Sequence, residues 1–130
     1  MSEQWNTEGL LGGYRVLDLT DEKGLLCGKL LGDLGADVIK IEPPGGDPAR
    51  NLGPFYRDTP DPQKSLFWFF TNLNKRGITL NLETADGREI FKRLVKTTHF
   101  LIESSSRDTW PGWGWATLTW SAAIAVQDSP

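Results

Sequence analysis

The chain has 130 residues, of which 24% are charged, with a formal net charge of -3 and a pI near 5.1. That length suits one domain, and the mild acidity leaves no basic excess to match a nucleic-acid backbone. The single cysteine, Cys27, has no partner for an internal disulfide, no apolar run is long enough to span a bilayer, and residues 1–9 carry no secretory pattern. A soluble, cytoplasmic domain is expected, with neither nucleic acid nor membrane as partner.

Residues 14–19 (YRVLDL) are apolar and β-branched enough for a buried strand, which ends at the turn signal Thr20-Asp21. Leu26, Leu30, Leu31 and Leu34 then recur at helical spacing from Leu25 onward, and Gly35 marks the helix end. Residues 37–42 (DVIKIE) read as a second strand, stopped by Pro43-Pro44. Strand, helix and strand in this order form a βαβ unit, the building block of a parallel sheet. Residues 43–63, rich in proline and glycine, read as one long loop, and periodicity does not decide whether the aromatic segment 65–72 is strand or helix. A second unit follows: a strand over 78–82, a helix capped by Thr84 with Asp86 in its first turn, and a strand over 99–103. In that helix Ile90, Phe91, Leu94 and Val95 form an apolar stripe, with Arg88, Lys92, Arg93 and Lys96 toward solvent. The expected fold is α/β, a partial Rossmann-like open sheet built from βαβ units. After Ser104 the text changes: four of the six tryptophans fall between Trp110 and Trp120, and no helix or strand template fits this irregular tail. The expected division is an N-terminal extension over 1–11, the α/β part over 12–103, and the tail over 104–130.

In open α/β sheets, ligands lie beyond the C-terminal ends of strands, where helix N-termini offer unpaired N–H groups to anions. The first such junction is Thr20-Asp21-Glu22-Lys23-Gly24. Glu42 closes the second strand, where dinucleotide-binding folds place an acid for a ribose hydroxyl. Gly24-x-x-x-Gly28 is not G-x-G-x-x-G, which argues against a nicotinamide cofactor. Asn74-Lys75-Arg76 sets two cations before a strand, and both a phosphate contact and a solvated basic turn fit that pattern. His99 has no cysteine or second histidine to complete a metal site, Cys27 beside Gly28 reads as a small buried residue, and Asp18 reads as shaping the strand end. No serine–histidine–acid set is present, so no catalytic residue and no metal ligand is assigned.

Four segments, in unbroken order from about Gly12 to Glu103, carry a more specific signal. They are RVLDLT from Arg15, LGDLGADVIKIEPPGGDP from Leu31, NKRGITLNL from Asn74, and ETADGREIFKRL from Glu83. Together they resemble the opening of class III CoA-transferases, the family that includes formyl-CoA and carnitine CoA-transferases and the related acyl-CoA racemases. The resemblance implies a Rossmann-like large domain, two interlocked chains in whole members, and transfer of CoA from a CoA thioester to a carboxylic acid through an aspartyl-CoA thioester, a form of covalent catalysis. It places the nucleophilic aspartate downstream of the matched segment, so this part is expected to be inactive alone and to expose apolar surface. Carried over residue by residue, it implies CoA contacts at Thr20, Asp21, Glu22, Lys23, Gly24, Glu42, Pro43 and Leu80, with Asn74, Lys75 and Arg76 as further candidates. The first loop is about one residue shorter than the family's, and Glu103-Ser104-Ser105 stands in place of Glu-Asn-Phe, which removes one expected contact. The racemase branch, and a non-catalytic module that binds CoA or a partner chain through the tail, remain open alternatives at this point.

The tail admits a reading-frame explanation. Tryptophan has one codon, so starting each codon one base earlier turns every tryptophan into a triplet compatible with leucine. Residues 107–120 can then read Pro-Gly-His-Leu-Ala-Gly-Leu-Gly-Leu-Gly-Tyr-Ala-Asp-Leu, which resembles the pattern with which the family continues. A frameshift near Ser104 to Ser106 is therefore expected, with sequencing of the coding DNA as its check.

Overall fold

The computed structural model describes residues 9–104, so the tryptophan-rich tail and the frameshift expectation lie outside the described residues. The elements are β1 (Arg15–Leu19), α1 (Leu25–Asp33), β2 (Asp37–Glu42), α2 (Leu66–Thr71), β3 (Lys75–Thr79), α3 (Ala85–Val95) and β4 (Phe100–Glu103). The four strands are parallel, in the order β3-β2-β1-β4. Among the described residues, no helix is long and apolar enough to cross a membrane.

Alternation along the central strands sends side chains to two different layers. Leu17, Ile39 and Ile41 face one side, where they pack with Leu80, Leu82 and the fully buried Phe91 of α3. Val16 and Val38 face the other, with Ala36, Leu31 and Ile102. A third cluster, Leu25, Ala49 and Trp68, fastens the first two helices to the loop after β2.

The first helix buries a different face from the one its leucines suggest. Leu25 and Gly28 are buried, whereas Leu26, Leu30 and Leu34 are about half exposed. Glycine is the reason: a Cβ at Gly28 would stand 2.3 Å from Asp18 Oδ2, and one at Gly32 would stand 3.0 Å from the Asn74 carbonyl. The glycine face lets the helix axis approach the sheet, and the larger leucines turn outward. Cys27 is accordingly exposed rather than buried. The helix ends as expected at Gly35, whose φ of +102° suits glycine. The Ala36 N–H to Leu31 C=O and Gly35 N–H to Gly32 C=O bonds complete a Schellman motif.

The aromatic segment is the helix α2, because Ser65 caps it by accepting from the Trp68 N–H at 3.1 Å. The loop before it is not structureless, since Pro48–Asn51 and Tyr56–Asp58 form 3-10 turns. Thr84 caps α3 as expected, through the Gly87 N–H at 3.0 Å. In α3, Ile90 leaves the expected stripe and is exposed, while Arg88 is half-buried, its guanidinium donating to the Leu82 and Glu83 carbonyls.

The third strand begins three residues earlier than its alternation suggests. Lys75 to Thr79 pair with Val38 to Glu42, and the Leu80 N–H makes the last bond, to the Glu42 carbonyl at 2.9 Å. Beyond Glu42 stand Pro43 and Pro44, which have no N–H to continue the ladder. Leu80 and Leu82 still reach the core, but from the segment after the strand.

Exposed apolar surface, also expected, lies on the outer faces of α1 and α2, with Leu30 53% and Phe70 57% exposed. The close approach at Gly28 generates a paired prediction. Gly28→Ala forces a methyl into the Asp18–Lys75 contact and is expected to destabilise by about 2 kcal/mol. Gly77→Ala, whose Cβ would meet nothing within 4 Å, is expected to be neutral or slightly stabilising. Urea unfolding of the two variants checks the difference.

Candidate functional site

Asp18 lies at the C-terminal end of β1 on the layer that α1 covers, and it is fully buried. Its Oδ1 accepts from the Thr20 N–H at 2.9 Å and the Thr20 hydroxyl at 2.6 Å, and its Oδ2 accepts from Lys75 Nζ at 2.7 Å. Lys40, the register partner of Asp18 on β2, places its ammonium 3.7 Å from Asp18 and 3.4 Å from Asp47 and donates to the Thr20 carbonyl. Thr20 is thus held at its N–H, its hydroxyl and its carbonyl, which fixes the start of the first loop. Sequence reasoning did not single out Lys40 or Asp47. The signal was present: opposite charges in the middle of two apolar strands read as a buried pair, because a lone buried charge is too costly.

The loop after β2 is shaped by a second set of charges. Arg50 holds Glu42 through two bonds of 2.7 Å, and its guanidinium lies 4.3 Å from the centre of the Trp68 ring. The Arg50 guanidinium lowers the Glu42 pKa and burial opposes it, while the Glu42 carboxylate raises that of Arg50. The Asp47 N–H donates to Glu42 at 2.9 Å, and Asp47 in turn caps the turn that follows by accepting from the Ala49 N–H.

These two sets enclose a cleft of about 450 Å³ at the C-terminal ends of β1 and β2 and beside the segment after β3. Leu19, Ile41, Pro43, Pro44, Leu80 and Leu82 supply apolar surface, while Thr20, Asp21, Lys40, Asp47, Asn81 and Glu83 supply polar groups. Beside it, on the β4 side of the first loop, the Ser104 hydroxyl accepts from the Asp21 N–H at 2.8 Å and donates to the Asp21 carboxylate at 2.7 Å. Ser104 therefore ties the first loop to the end of β4. That hydroxyl is the main reason the Asp21 pKa lies below its ordinary value.

The sequence-predicted residues do not all meet here. Thr20, Asp21, Pro43 and Leu80 line the cleft. Glu22 and Lys23 are exposed beside it, and Gly24 is the N-cap residue of α1. Glu42 does not line the cleft, and its carboxylate is bonded to Arg50. Lys75 departs furthest from expectation: its side chain is 1% exposed, and its ammonium donates to Asp18, to the Leu25 carbonyl at 2.8 Å and to Asn72 at 3.0 Å. With its three N–H donors occupied inside the fold, it is not a solvated turn residue. Burial lowers its pKa, and the Asp18 carboxylate counters the shift. Asn74 and Arg76 lie at the other end of the strands, bonded to Asp33 and Asp37. Among the described residues, no group of histidine, cysteine, aspartate or glutamate side chains is arranged to hold a metal ion.

The profile of CoA-transferase family III matches residues 11–123, most of the chain and part of the tail. The chain belongs to that family. It is 44% identical over 91 residues to the succinyl-CoA:(R)-benzylsuccinate CoA-transferase subunit BbsE of Thauera aromatica, covering 70% of this chain and 22% of that one. It is 43% identical over 96 residues to a formyl-CoA:oxalate CoA-transferase of Escherichia coli, covering 72% and 22%. A solved CAIB/BAIF family protein from Brucella suis superposes with a TM-score of 0.75 at 32% identity, covering 88% of this chain and 31% of that one. The chain thus spans less than a third of the length of these three relatives.

Two outcomes test the charge sets. Lys75→Met leaves Asp18 buried with only the longer Lys40 contact and is expected to cost about 3 kcal/mol, part of which Asp18→Asn restores in the double variant. Glu42 has its pKa lowered from 4.5, so its contribution to stability is complete above that pH and is lost as pH falls through the lower folded value. Glu42→Gln is therefore expected to be less stable than the parent at neutral pH, with the difference narrowing below pH 4.5 in a series of urea melts.

Proposed function

We propose that this chain supplies the coenzyme A-binding face of a CoA-transferase, with the nucleotide end of a CoA thioester resting in the cleft at the C-terminal ends of the strands. The observation that carries this reading is the meeting of Thr20, Pro43 and Leu80 in one cleft, in a chain that belongs to the family. Leu80, Ile41 and the two prolines suit the flat, apolar faces of an adenine ring, and Thr20 and Asn81 suit ribose hydroxyls. Asp21, Asp47 and Glu83 around the cleft outnumber Lys40, so the phosphates point outward, toward Lys23 and the amide end of α1.

In this reading the whole protein moves CoA from a thioester donor to a carboxylic acid through an aspartyl-CoA thioester, as an interlocked pair of chains. The nucleophile comes from elsewhere in the family's length. Asp18, Asp21 and Asp47, all at or beneath the cleft, are each hydrogen-bonded within the fold. In this reading they shape the cleft, and the chain's part is to bind CoA.

Calorimetric titration with CoA tests the proposal, with circular dichroism to establish that each sample is folded. Saturable binding is expected for the parent, weakened about tenfold or more in Leu80→Asp, which puts a charge against the base and the phosphates. A folded parent chain that gives no saturable heat would sink the reading.

A further inference from the structure

The helices α1 and α2 lie side by side, and both turn apolar side chains outward. In α2 the inner side takes Trp68 and Thr71, which are buried. Leu66, Phe69 and Phe70, with Leu73 just past the helix end, share the opposite side at spacings of three and four residues and are 42% to 57% exposed. In α1 the glycines face Asp18 and Asn74, so Leu26, Leu30 and Leu34 stand outward at four-residue intervals. Lys29 joins the two stripes: its ammonium lies 5.0 Å from the centre of the Phe70 ring and 2.6 Å from the Asp33 carboxylate. With its charge paired to Asp33, the lysine adds an aliphatic stem to the surface. A continuous apolar patch of this kind marks a contact surface.

Where the described fold ends decides what can cover it. The Ser104 hydroxyl is bonded to both the N–H and the carboxylate of Asp21, and the Asp21 carbonyl accepts from Gly24, the residue before α1. Residues 105–130 therefore leave from beside the start of α1. Extended chain advances about 3.3 Å per residue, so Ser104 to Trp110 alone spans up to about 20 Å, more than the roughly 14 Å length of α1. The composition of that segment suits the patch. Trp110, Trp113, Trp115, Leu118 and Trp120 stand in it against only three charged side chains, Arg107, Asp108 and Asp128. Indole rings laid on leucine and phenylalanine side chains bury large apolar areas. Tethering favours this occupant over a second copy. A linked segment meets the patch at an effective concentration on the order of a millimolar, whereas a free copy pays the full entropy of association.

We propose that the outer face of α1 and α2 is the docking surface for this chain's own segment 105–130, with Leu26, Leu30, Phe69 and Phe70 receiving its tryptophan side chains. The contact does not depend on the CoA reading, since none of these four residues lines that cleft.

Cys27 is the only cysteine in the chain and is exposed on α1, so a nitroxide attached to it reports on whatever approaches that face. The intact, isotope-labelled chain carries the nitroxide, and indole N–H resonances, assigned by single Trp→Phe substitutions, are compared before and after its reduction. Trp68, which packs with Leu25, is broadened in every arrangement and serves as the internal control. Trp110, Trp113, Trp115 and Trp120 are expected to lose more than half of their intensity while the nitroxide is intact. Leu30→Asp combined with Phe70→Asp is expected to restore them, because charges on the patch oppose burial against indole rings. If that double variant loses the folded spectrum, Leu30→Gln takes its place, with partial recovery expected. No broadening of the four tryptophans, or broadening unchanged in the folded variant, overturns the proposal. A mixture of nitroxide-bearing unlabelled chain with nitroxide-free isotope-labelled chain identifies a second copy: broadening there as strong as within one chain overturns docking of the chain's own segment, and its absence supports it.

Discussion

The carboxylate of Asp18 is the constraint on which the rest of the described fold depends. It is fully buried, and an unpaired charge there would cost several kcal/mol. Lys75 and Lys40 answer it from two further strands, so β1, β2 and β3 are joined by charge as well as by their ladder. Lys75 also reaches Leu25 in α1 and Asn72 after α2, and Lys40 reaches Thr20 and Asp47. One carboxylate therefore positions two helices, the first loop and the turn after β2. Gly28 is the spatial condition for this arrangement, because any side chain there would occupy the space of Asp18 Oδ2.

That arrangement also makes the cleft. In an open parallel sheet the ligand surface lies beyond the C-terminal ends of the strands, here those of β1 and β2 beside the segment after β3. That surface is defined only when the loops around it are held. Thr20 is held from below by Asp18 and Lys40, Asp21 from the side by Ser104, and the proline-rich loop by the Glu42–Arg50–Trp68 stack. The cleft walls are thus consequences of buried ionic contacts, while the groups that face the cleft are mostly apolar or hydroxylic. The far end of the sheet is organised differently, with its charges half exposed and its carboxylate shared between two arginines.

Much of this was legible along the chain. Five-residue apolar runs, a glycine after the helix and two prolines after β2 fix β1, α1 and β2 within a residue or two, because those signals act on local backbone geometry. Thr84 and Asp86 likewise announce α3. Where a reading failed, the deciding force came from outside the segment. The leucines of α1 have helical spacing, but whether they face the sheet depends on what stands under Gly28. Alternation after Gly77 suggests a later strand, yet the ladder ends where β2 meets its prolines.

The sequence by itself determined the two βαβ units, the parallel α/β class and the family, since each rests on local propensity or on a collinear series of residues, but not that the segment after the proline-rich loop is a helix. The tertiary structure alone decided where the charges go. Asn74, Lys75 and Arg76 are consecutive, but a strand sends neighbouring side chains to opposite faces, and each found a different partner. Lys75 turned under α1 to Asp18, and Arg76 turned to Asp37 at the far end. Asp18 and Lys40 are 22 residues apart in the chain, yet the register of β1 on β2 makes them neighbours. Local signals set the backbone of each segment, while a charge takes the partner that packing brings within reach, and packing belongs to the whole chain.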